Sequence, residues 1–374
     1  MSNSSEMNPK LNIRDFSLLL ALVAICGFFG WMAPEFLGPR NLSNLMVELS
    51  LNATLAMGML LIILPGHIDL SVGSGLALLG GIASVLTTKL GYPAPFGLSV
   101  GLIAGVLIWY AKSWLIVHER IPAFIVTLAG LLVYRGLFWL VINNETVPVV
   151  GGGQTNLYSL LSSYYLSPMT GYVLALLVTL ALAASYWLSR KQTPDSEASF
   201  LKFFVGAQAT FLFVIIANQH RGIPLPALIF GIVCLATYVL TQHTAMGRHL
   251  YAIGGNAEAA LVSGIPVQRV VMTAFALMGG IVAITGFLLA SYTGNSTTDL
   301  GEWMELDAVA ACVIGGVSLR GGRGTVMGVL FGALIMACLI NGMTLLSVSP
   351  ENKLIARGLV LLAAVWMDMR ANRS

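Results

Sequence analysis

The chain has 374 residues, of which 57% are hydrophobic and only 9% charged, with a formal net charge of +3 and a mean hydropathy of +0.85. A soluble domain carries about 25% charged residues, so the composition excludes a water-soluble enzyme and leaves a polytopic membrane protein. No long polar linker divides the sequence, so a single transmembrane domain over 1–374 is expected, and no nucleic-acid partner.

A bilayer core of about 30 Å takes about 20 apolar residues of helix. On that measure twelve segments read as spans: 16–33, 42–64, 71–88, 96–117, 121–142, 170–189, 201–217, 224–243, 270–291, 304–319, 325–346 and 353–369. The expected fold is therefore an all-α bundle. A first bundle covers 16–142, a periplasmic segment 143–168, an extra helix pair 170–217 and a second bundle 224–369.

Lys10 and Arg14 precede the first apolar run, which Pro34 and Glu35 follow in place of a small-residue cleavage site, so it reads as a retained helix and not a signal peptide. The second span carries Glu48 and, one turn later on the same face, Asn52. Residues 66–75 then read GHIDLSVGSG. Lys112 falls in the fourth span and Arg135 in the fifth. An ionisable group at the centre of a span costs about 2.5–3.5 kcal/mol on insertion scales, so each is a site candidate. Glu48 and Asn52 are expected on a polar path. Lys112 and Arg135 are expected to snorkel or to pair across helices. The outer segment holds Gly151, Gly152 and Gly153 and a weakly amphipathic stretch, 157–166, which fits either a surface helix or a passive loop.

Residues 247–266, GRHLYAIGGNAEAALVSGIP, combine charge, glycine and good helix formers without a spanning run. Asn256 suits an N-cap, Glu258 the positive first turn, and Ala257, Ala259, Ala260 and Leu261 a short helix up to Ser263. Gly264 stops it and Pro266 prevents its resumption. Gly254 and Gly255 are expected to make a sharp chain reversal before it. Two turns of helix do not hold themselves together in water, so the membrane body or a partner has to support them.

The tenth span opens on Glu302, Glu305 and Asp307, is interrupted by glycine, and is followed by Asn341 in the eleventh. Asp307 and Asn341 join Glu48 and Asn52 as candidates for the polar path. Residues 315–324, GGVSLRGGRG, echo the earlier glycine stretch. At one constant offset Gly66, Leu70, Gly73 and Gly75 match Gly315, Leu319, Gly322 and Gly324, which points to two related halves. With the N-terminus inside, twelve Lys and Arg fall on the inner side and five on the outer, as the positive-inside rule asks. Both termini and the 247–266 loop are then cytoplasmic.

Catalytic chemistry is not evident. Residues 321–325, GGRGT, lack the lysine and preceding strand of a phosphate loop, and there is no H-E-x-x-H or G-x-S-x-G. Cys26, Cys234, Cys312 and Cys338 lie inside apolar runs and read as packing residues, with no metal site. The tryptophans fall near span ends, as an interfacial belt does.

Three stretches carry a family likeness: GHIDLSVGS at 66–74, GRHLYAIGGNAEAALVSGI at 247–265 and ELDAVAACVIGGVSLRGGRGTVMG at 305–328. Together they resemble the permease subunits of bacterial sugar ATP-binding cassette importers, in the branch that serves ribose, galactose, arabinose and xylose. The likeness covers about 42–142 and 222–369, and Gly66, Asp69, Ser71, Gly73, Gly315, Gly316, Gly321 and Gly322 are its structural motif residues. The extra pair of spans and His67 resemble the xylose permeases. The resemblance implies a non-catalytic subunit in a bacterial inner membrane, working as a homodimer with a periplasmic sugar-binding protein and cytoplasmic ATP-binding subunits. ATP and magnesium would belong to those subunits and this chain would hold no cofactor. Residues 254–264 resemble the coupling helix of that family, with Gly254, Gly255, Asn256, Glu258, Ala259, Ala260, Ser263 and Gly264 toward the ATPase. Glu48, Asn52, Asp307 and Asn341 come from the residues alone, not from the family. Two other classes compete: an ion-coupled secondary transporter, for which Glu48 would serve as the midplane carboxylate, and an intramembrane enzyme, for which no residue cluster speaks.

Overall fold

A computed structural model describes residues 13–151, 155–190 and 196–371. The apolar runs are helices because a backbone in hydrocarbon must bond its own N–H and C=O groups. In chain order they are α1 (Ile13–Met32), α2 (Pro39–Ile63), α3 (Val72–Ser84), α4 (Ala94–Val117), α5 (Ala123–Ile142), α6 (Leu157–Ser163), α7 (Pro168–Arg190) and α8 (Ser196–Asn218). There follow α9 (Leu225–His243), α10 (Ala245–Gly255), α11 (Ala257–Val262), α12 (Val267–Thr293), α13 (Met304–Ile314), α14 (Val326–Leu345) and α15 (Pro350–Ala371). The described strands are two-residue pieces, so the expected all-α fold stands.

Among the described residues eight helices are long and apolar enough to cross a membrane, against the twelve segments read from sequence. The apolar parts of α1 and α8 are shorter, Leu18–Met32 and Phe203–Asn218. Helix α15 is long but carries Glu351, Lys353, Arg357 and Arg370. The tenth segment needs the clearest correction. Helix α13 has 11 residues and stops at Gly315, which at 1.5 Å per residue is roughly 16 Å, about half a bilayer core.

Helices α2, α3 and α12 form the buried centre, and glycine lets their neighbours come close. A Cβ on Gly105 of α4 would stand 2.6 Å from the Gly279 carbonyl oxygen of α12, so only glycine permits this crossing. The stretch 157–166 is not a passive loop. Helix α6 is closed by a capping box between Asn156 and Ser159, and its buried Tyr158 donates to the Gly80 carbonyl at 3.0 Å. Strand β1 (Val147–Pro148) pairs with the segment Asn295–Ser296, and β2 (Tyr165–Leu166) with β3 (Ile223–Pro224), antiparallel in both cases. Helices α7 and α8 pack on each other and reach the body through a small cluster of Ala175, Val214, Ala217 and Ile223. Gly152, Gly153 and residues 191–195 lie outside the described residues.

Helices α2 and α13 end on the same kind of turn. Helix α2 ends with Gly66 N–H donating to Ile63 O at 2.8 Å and His67 N–H to Ile62 O at 3.1 Å. Helix α13 ends with Gly316 N–H donating to Val313 O and Val317 N–H to Cys312 O, both at 2.9 Å. Gly66 and Gly316 have φ of +89° and +90°. Both are Schellman caps, which need a left-handed residue after the last turn. In these two caps the position of Gly66 is taken by Gly316 and not by Gly315. The next helix begins six residues after Gly66 and ten after Gly316, at Val72 and Val326. The second loop is thus four residues longer. Gly73 and Gly75 lie inside α3 while Gly322 and Gly324 lie in a loop, so those sequence matches are not structural equivalents.

Candidate functional site

The short helix predicted over 256–263 is α11, Ala257–Val262. Thr244 caps α10, its hydroxyl accepting from Gly247 N–H at 3.2 Å. Asn256 is extended, with φ of −161°, and its side-chain oxygen accepts from Ala259 N–H at 2.9 Å. Gly264, at φ +83°, ends α11, and Ile265 N–H closes it onto Ala260 O at 3.1 Å. The reversal expected at Gly254 and Gly255 is not there. Both belong to the last turn of α10, neither has a positive φ, and the chain changes direction at Asn256.

The helix presents Asn256, Glu258, Ala259 and Ser263 to the outside and turns Ala260 inward, 4% exposed. Leu261 and Val262 are 64% and 88% exposed, an apolar tip that the sequence reading passed over although it stands in plain view on a polar loop. A groove beside it is lined by Glu258, Leu261, Pro266, Gln268 and Arg269.

Gly254 is required by a close approach. Three backbone segments, the end of α10, the turn after α2 and the loop after α13, meet there without side chains between them. Gly322 N–H donates to Leu64 O at 2.9 Å, and a Cβ on Gly254 would overlap both of those atoms. A Cβ on Gly321 would be 2.9 Å from Gly254 Cα and from Gly66 N. Tyr251 reinforces the contact from α10, donating to Gly324 O at 2.7 Å, and burial raises its phenol above the usual value, so it keeps that proton. The end of α10 therefore touches the turn after α2 and the loop after α13 together. Gly255, by contrast, has no atom within 4 Å of its Cβ position. Gly315 serves elsewhere, packed under the Gly328 backbone.

Asp69 and Ser71 fix the first of these turns. Asp69 is buried and accepts four hydrogen bonds: from Ser71 N–H at 2.9 Å and Ser71 Oγ at 2.7 Å on one oxygen, and from Trp109 Nε1 at 2.7 Å and Lys112 Nζ at 2.5 Å on the other. Lys112 also donates to Ser71 Oγ at 2.7 Å and lies 4.0 Å from the Trp109 ring centroid. The pair expected of Lys112 is thus formed, with every partner satisfied, which is what a buried charge needs. Arg135 donates to the Leu300 carbonyl at 3.0 Å and holds the loop before α13. His67 sits 6.0 Å from the Phe275 ring, and burial lowers its imidazole pKa so that it is neutral. Gly73 lies where a side chain would collide with the Glu305 carboxylate.

The path candidates fall into two groups. Asn341 Nδ2 donates to Glu48 Oε2 at 3.2 Å, and Tyr292 OH to Glu48 Oε1 at 3.4 Å. Asn341 accepts from Asn41 at 2.8 Å. Glu48 and Asn341 are therefore one network, to which the structure adds Asn41 and Tyr292. Asn52 makes no hydrogen bond to it among the described residues. Asp307 stands apart, paired with Arg357 at 3.4 Å.

A family model described as the permease component of a branched-chain amino acid transport system matches residues 41–194 and 191–365. The xylose transport system permease protein XylH of Escherichia coli K12 is 39% identical over 97% of this chain and 93% of its own length. XylH of Haemophilus influenzae is 37% identical over 96% of both chains. The ribose import permease protein RbsC of Escherichia coli K12 is 31% identical over 94% of this chain and 92% of its own length. No solved structure matches.

Proposed function

We propose, from the premise that this chain belongs to the family of branched-chain amino acid transport system permease components, that it is the membrane-translocating subunit of an ATP-binding cassette importer for a monosaccharide, D-xylose. The observation that carries this reading is the 39% identity to a xylose permease over nearly the whole of both chains. The geometry of α10 and α11 supports it. An open path only equilibrates its solute, and each tenfold of accumulation costs about 1.4 kcal/mol. This chain carries no ATPase pattern, so the work has to come from another subunit.

The exposed tip of α11 is the place for that subunit to grip, with Asn256, Glu258 and Ala259 around the apolar pair Leu261 and Val262. Movement of α11 passes into α12 directly, and through the Gly254 contact into the turns after α2 and α13. Those turns continue into α3 and α14. One displacement at the inner face thus reaches both repeats, which is alternating access driven from a partner. At the other end of α2 and α14 stand Glu48 and Asn341, whose network changes if the two helices part. We place the N- and C-termini and α10–α11 in the cytoplasm of a bacterial cell, with α13 and its following loop together completing one crossing. A second copy of the chain completes the path and a periplasmic binding protein delivers the sugar. ATP and magnesium are held by the ATPase.

The test is reconstitution. The chain, its ATPase and its binding protein in proteoliposomes should accumulate D-xylose when ATP is enclosed, and an uncoupler should not change the rate. Uptake by the chain alone that follows a proton gradient would overturn the reading.

A further inference from the structure

Cys26 of α1 and Cys338 of α14 stand sulfur to sulfur at 3.9 Å, although 312 positions separate them in the chain. Cys338 is 2% exposed, and Cys26 is partly buried at the rim of the bundle. Free cysteine ordinarily packs as a small hydrophobe. Cys312 does so, its thiol donating to Ala56 O at 3.4 Å. The pair on α1 and α14 differs, because each sulfur has the other as its partner. A disulfide bond is about 2.05 Å long, so from 3.9 Å each sulfur has about 0.9 Å to travel, within the reach of a side-chain rotation. The two helices already touch one turn farther on, where a Cβ on Gly342 would collide with the ring of Phe29.

The surroundings of the pair connect it to the Glu48 network. Cys338 lies one turn before Asn341, whose amide accepts from Asn41 and donates to Glu48. Phe29 lies one turn after Cys26, and its ring is 5.7 Å from that of Phe36. Phe36 O accepts from Asn41 of α2 at 2.9 Å. Phe29, Phe36, Leu45 of α2 and Cys338 belong to one buried cluster. A covalent link between Cys26 and Cys338 therefore closes a ring. It runs from α14 to α1, through Phe36 to the start of α2, and through Asn41 back to Asn341. Helices α2 and α14 are the two that part at Glu48 and Asn341 in the import reading.

We propose that Cys26 and Cys338 are a redox modification site: a lipid-soluble quinone closes them into a disulfide that holds α1, α2 and α14 together and stops import, and reduction releases them. Two S–H bonds break and one S–S bond forms. The quinone takes up the two electrons and two protons and leaves as the hydroquinone. Such an oxidant reaches Cys26 from the bilayer, over the face of α1 on which Val23 and Phe28 are 61% and 53% exposed. The bond itself stands on the sulfur geometry alone, whereas its effect on transport rests on the import reading.

The full-length chain with its ATPase and binding protein in proteoliposomes is treated with decylubiquinone and then with dithiothreitol. After denaturation the free thiols of the permease chain are tagged with a maleimide and counted by mass. The count is expected to fall from the four cysteines of the sequence to two, with a cross-linked peptide that holds Cys26 and Cys338. ATP-driven xylose uptake is expected to fall about tenfold or more as the open state is withheld, and dithiothreitol restores both readings. Cys26→Ala and Cys338→Ala should keep their uptake under the oxidant. If the buried replacement at 338 fails to fold, Cys26→Ala decides. Four tags after oxidation, or a quinone adduct on one cysteine in place of the cross-link, overturns the site. Uptake that survives the cross-link, or that falls equally in Cys26→Ala, overturns the lock. An untreated assembly that does not import removes the importer, while the tag count still decides the disulfide.

Discussion

Replacing Gly254 by alanine adds one methyl at the place where three backbones meet. That methyl would overlap Leu64 O and Gly322 N and would stand 2.9 Å from the Gly321 carbonyl carbon, where ordinary contact begins at 3.4 Å. The loop after α13 must therefore retreat by at least 0.5 Å there, and farther at the two overlapping atoms. The hydrogen bond from Gly322 N–H to Leu64 O, now 2.9 Å, cannot survive that retreat. Overpacking costs about 1–3 kcal/mol, and a buried group left without its partner a further 1–3 kcal/mol or so. The expected loss is about 2–6 kcal/mol, reduced by whatever α10 recovers by moving away. Moving away unlinks the exposed helix from both turns, so uptake should fall more steeply than stability. Gly255→Ala is the control, because nothing lies within 4 Å of its Cβ position and its backbone is helical. There alanine should add about 0.8–1.0 kcal/mol of helix propensity. Thermal unfolding in detergent and ATP-driven xylose uptake in proteoliposomes measure both variants. Unaltered stability and uptake in Gly254→Ala, or an equal defect in Gly255→Ala, would refute the three-backbone contact as the linkage.

Lys112→Met should destabilise by about 3–5 kcal/mol by stranding Asp69, and adding Asp69→Asn should recover part of that. A double variant no more stable than the single one in thermal unfolding would refute the pairing. Asn256→Ala removes the cap of α11 and should cost about 1 kcal/mol locally, read as faster amide exchange over 257–262 with no change elsewhere. Glu258→Lys lies on the exposed face of α11, so the permease should unfold at its usual temperature while less ATPase co-purifies; unchanged recovery of the ATPase would show that this face is not the contact. His67 has its pKa lowered in the folded chain by burial. Its contribution to stability is therefore complete above the unfolded pKa of about 6.5 and lost as pH falls through that value toward the folded one. His67→Gln should flatten the acid side of the stability profile, and an identical profile in the two proteins would assign that limb to other groups.

Much of this architecture could be read from residue order. Apolar runs announced the long helices, and Asn256, Glu258 and Gly264 announced α11 with its cap and its stop. The exceptions have physical causes. A hydrophobic count saw 304–319 as one span because it weighs Val317 and Leu319 like helix residues, whereas Gly316 in the left-handed region turns the chain out of the helix. Matching glycines by identity put Gly66 opposite Gly315, and only the hydrogen bonds of the two caps show that Gly316 is its counterpart. Gly254 was legible as a glycine but not as a contact, since a backbone carbonyl 190 positions earlier leaves no trace in the local pattern. Among polar candidates, spacing along one helix favoured Glu48 with Asn52. The fold chose Asn341 and Tyr292 instead, from helices that spacing cannot compare.

The antiparallel pairing of Tyr165 and Leu166 with Pro224 and Ile223 has a consequence for how such a chain is assembled over evolution. Everything between those strands departs from the body and comes back to it at a single doorway. The α7–α8 hairpin is accordingly a cassette that a lineage can gain or shed without reconnecting the core. A two-residue glycine-containing turn joining Leu166 to Ile223 would close the gap as an ordinary hairpin. Sugar permeases with and without this arm would then differ in ornament at the rim while sharing one engine.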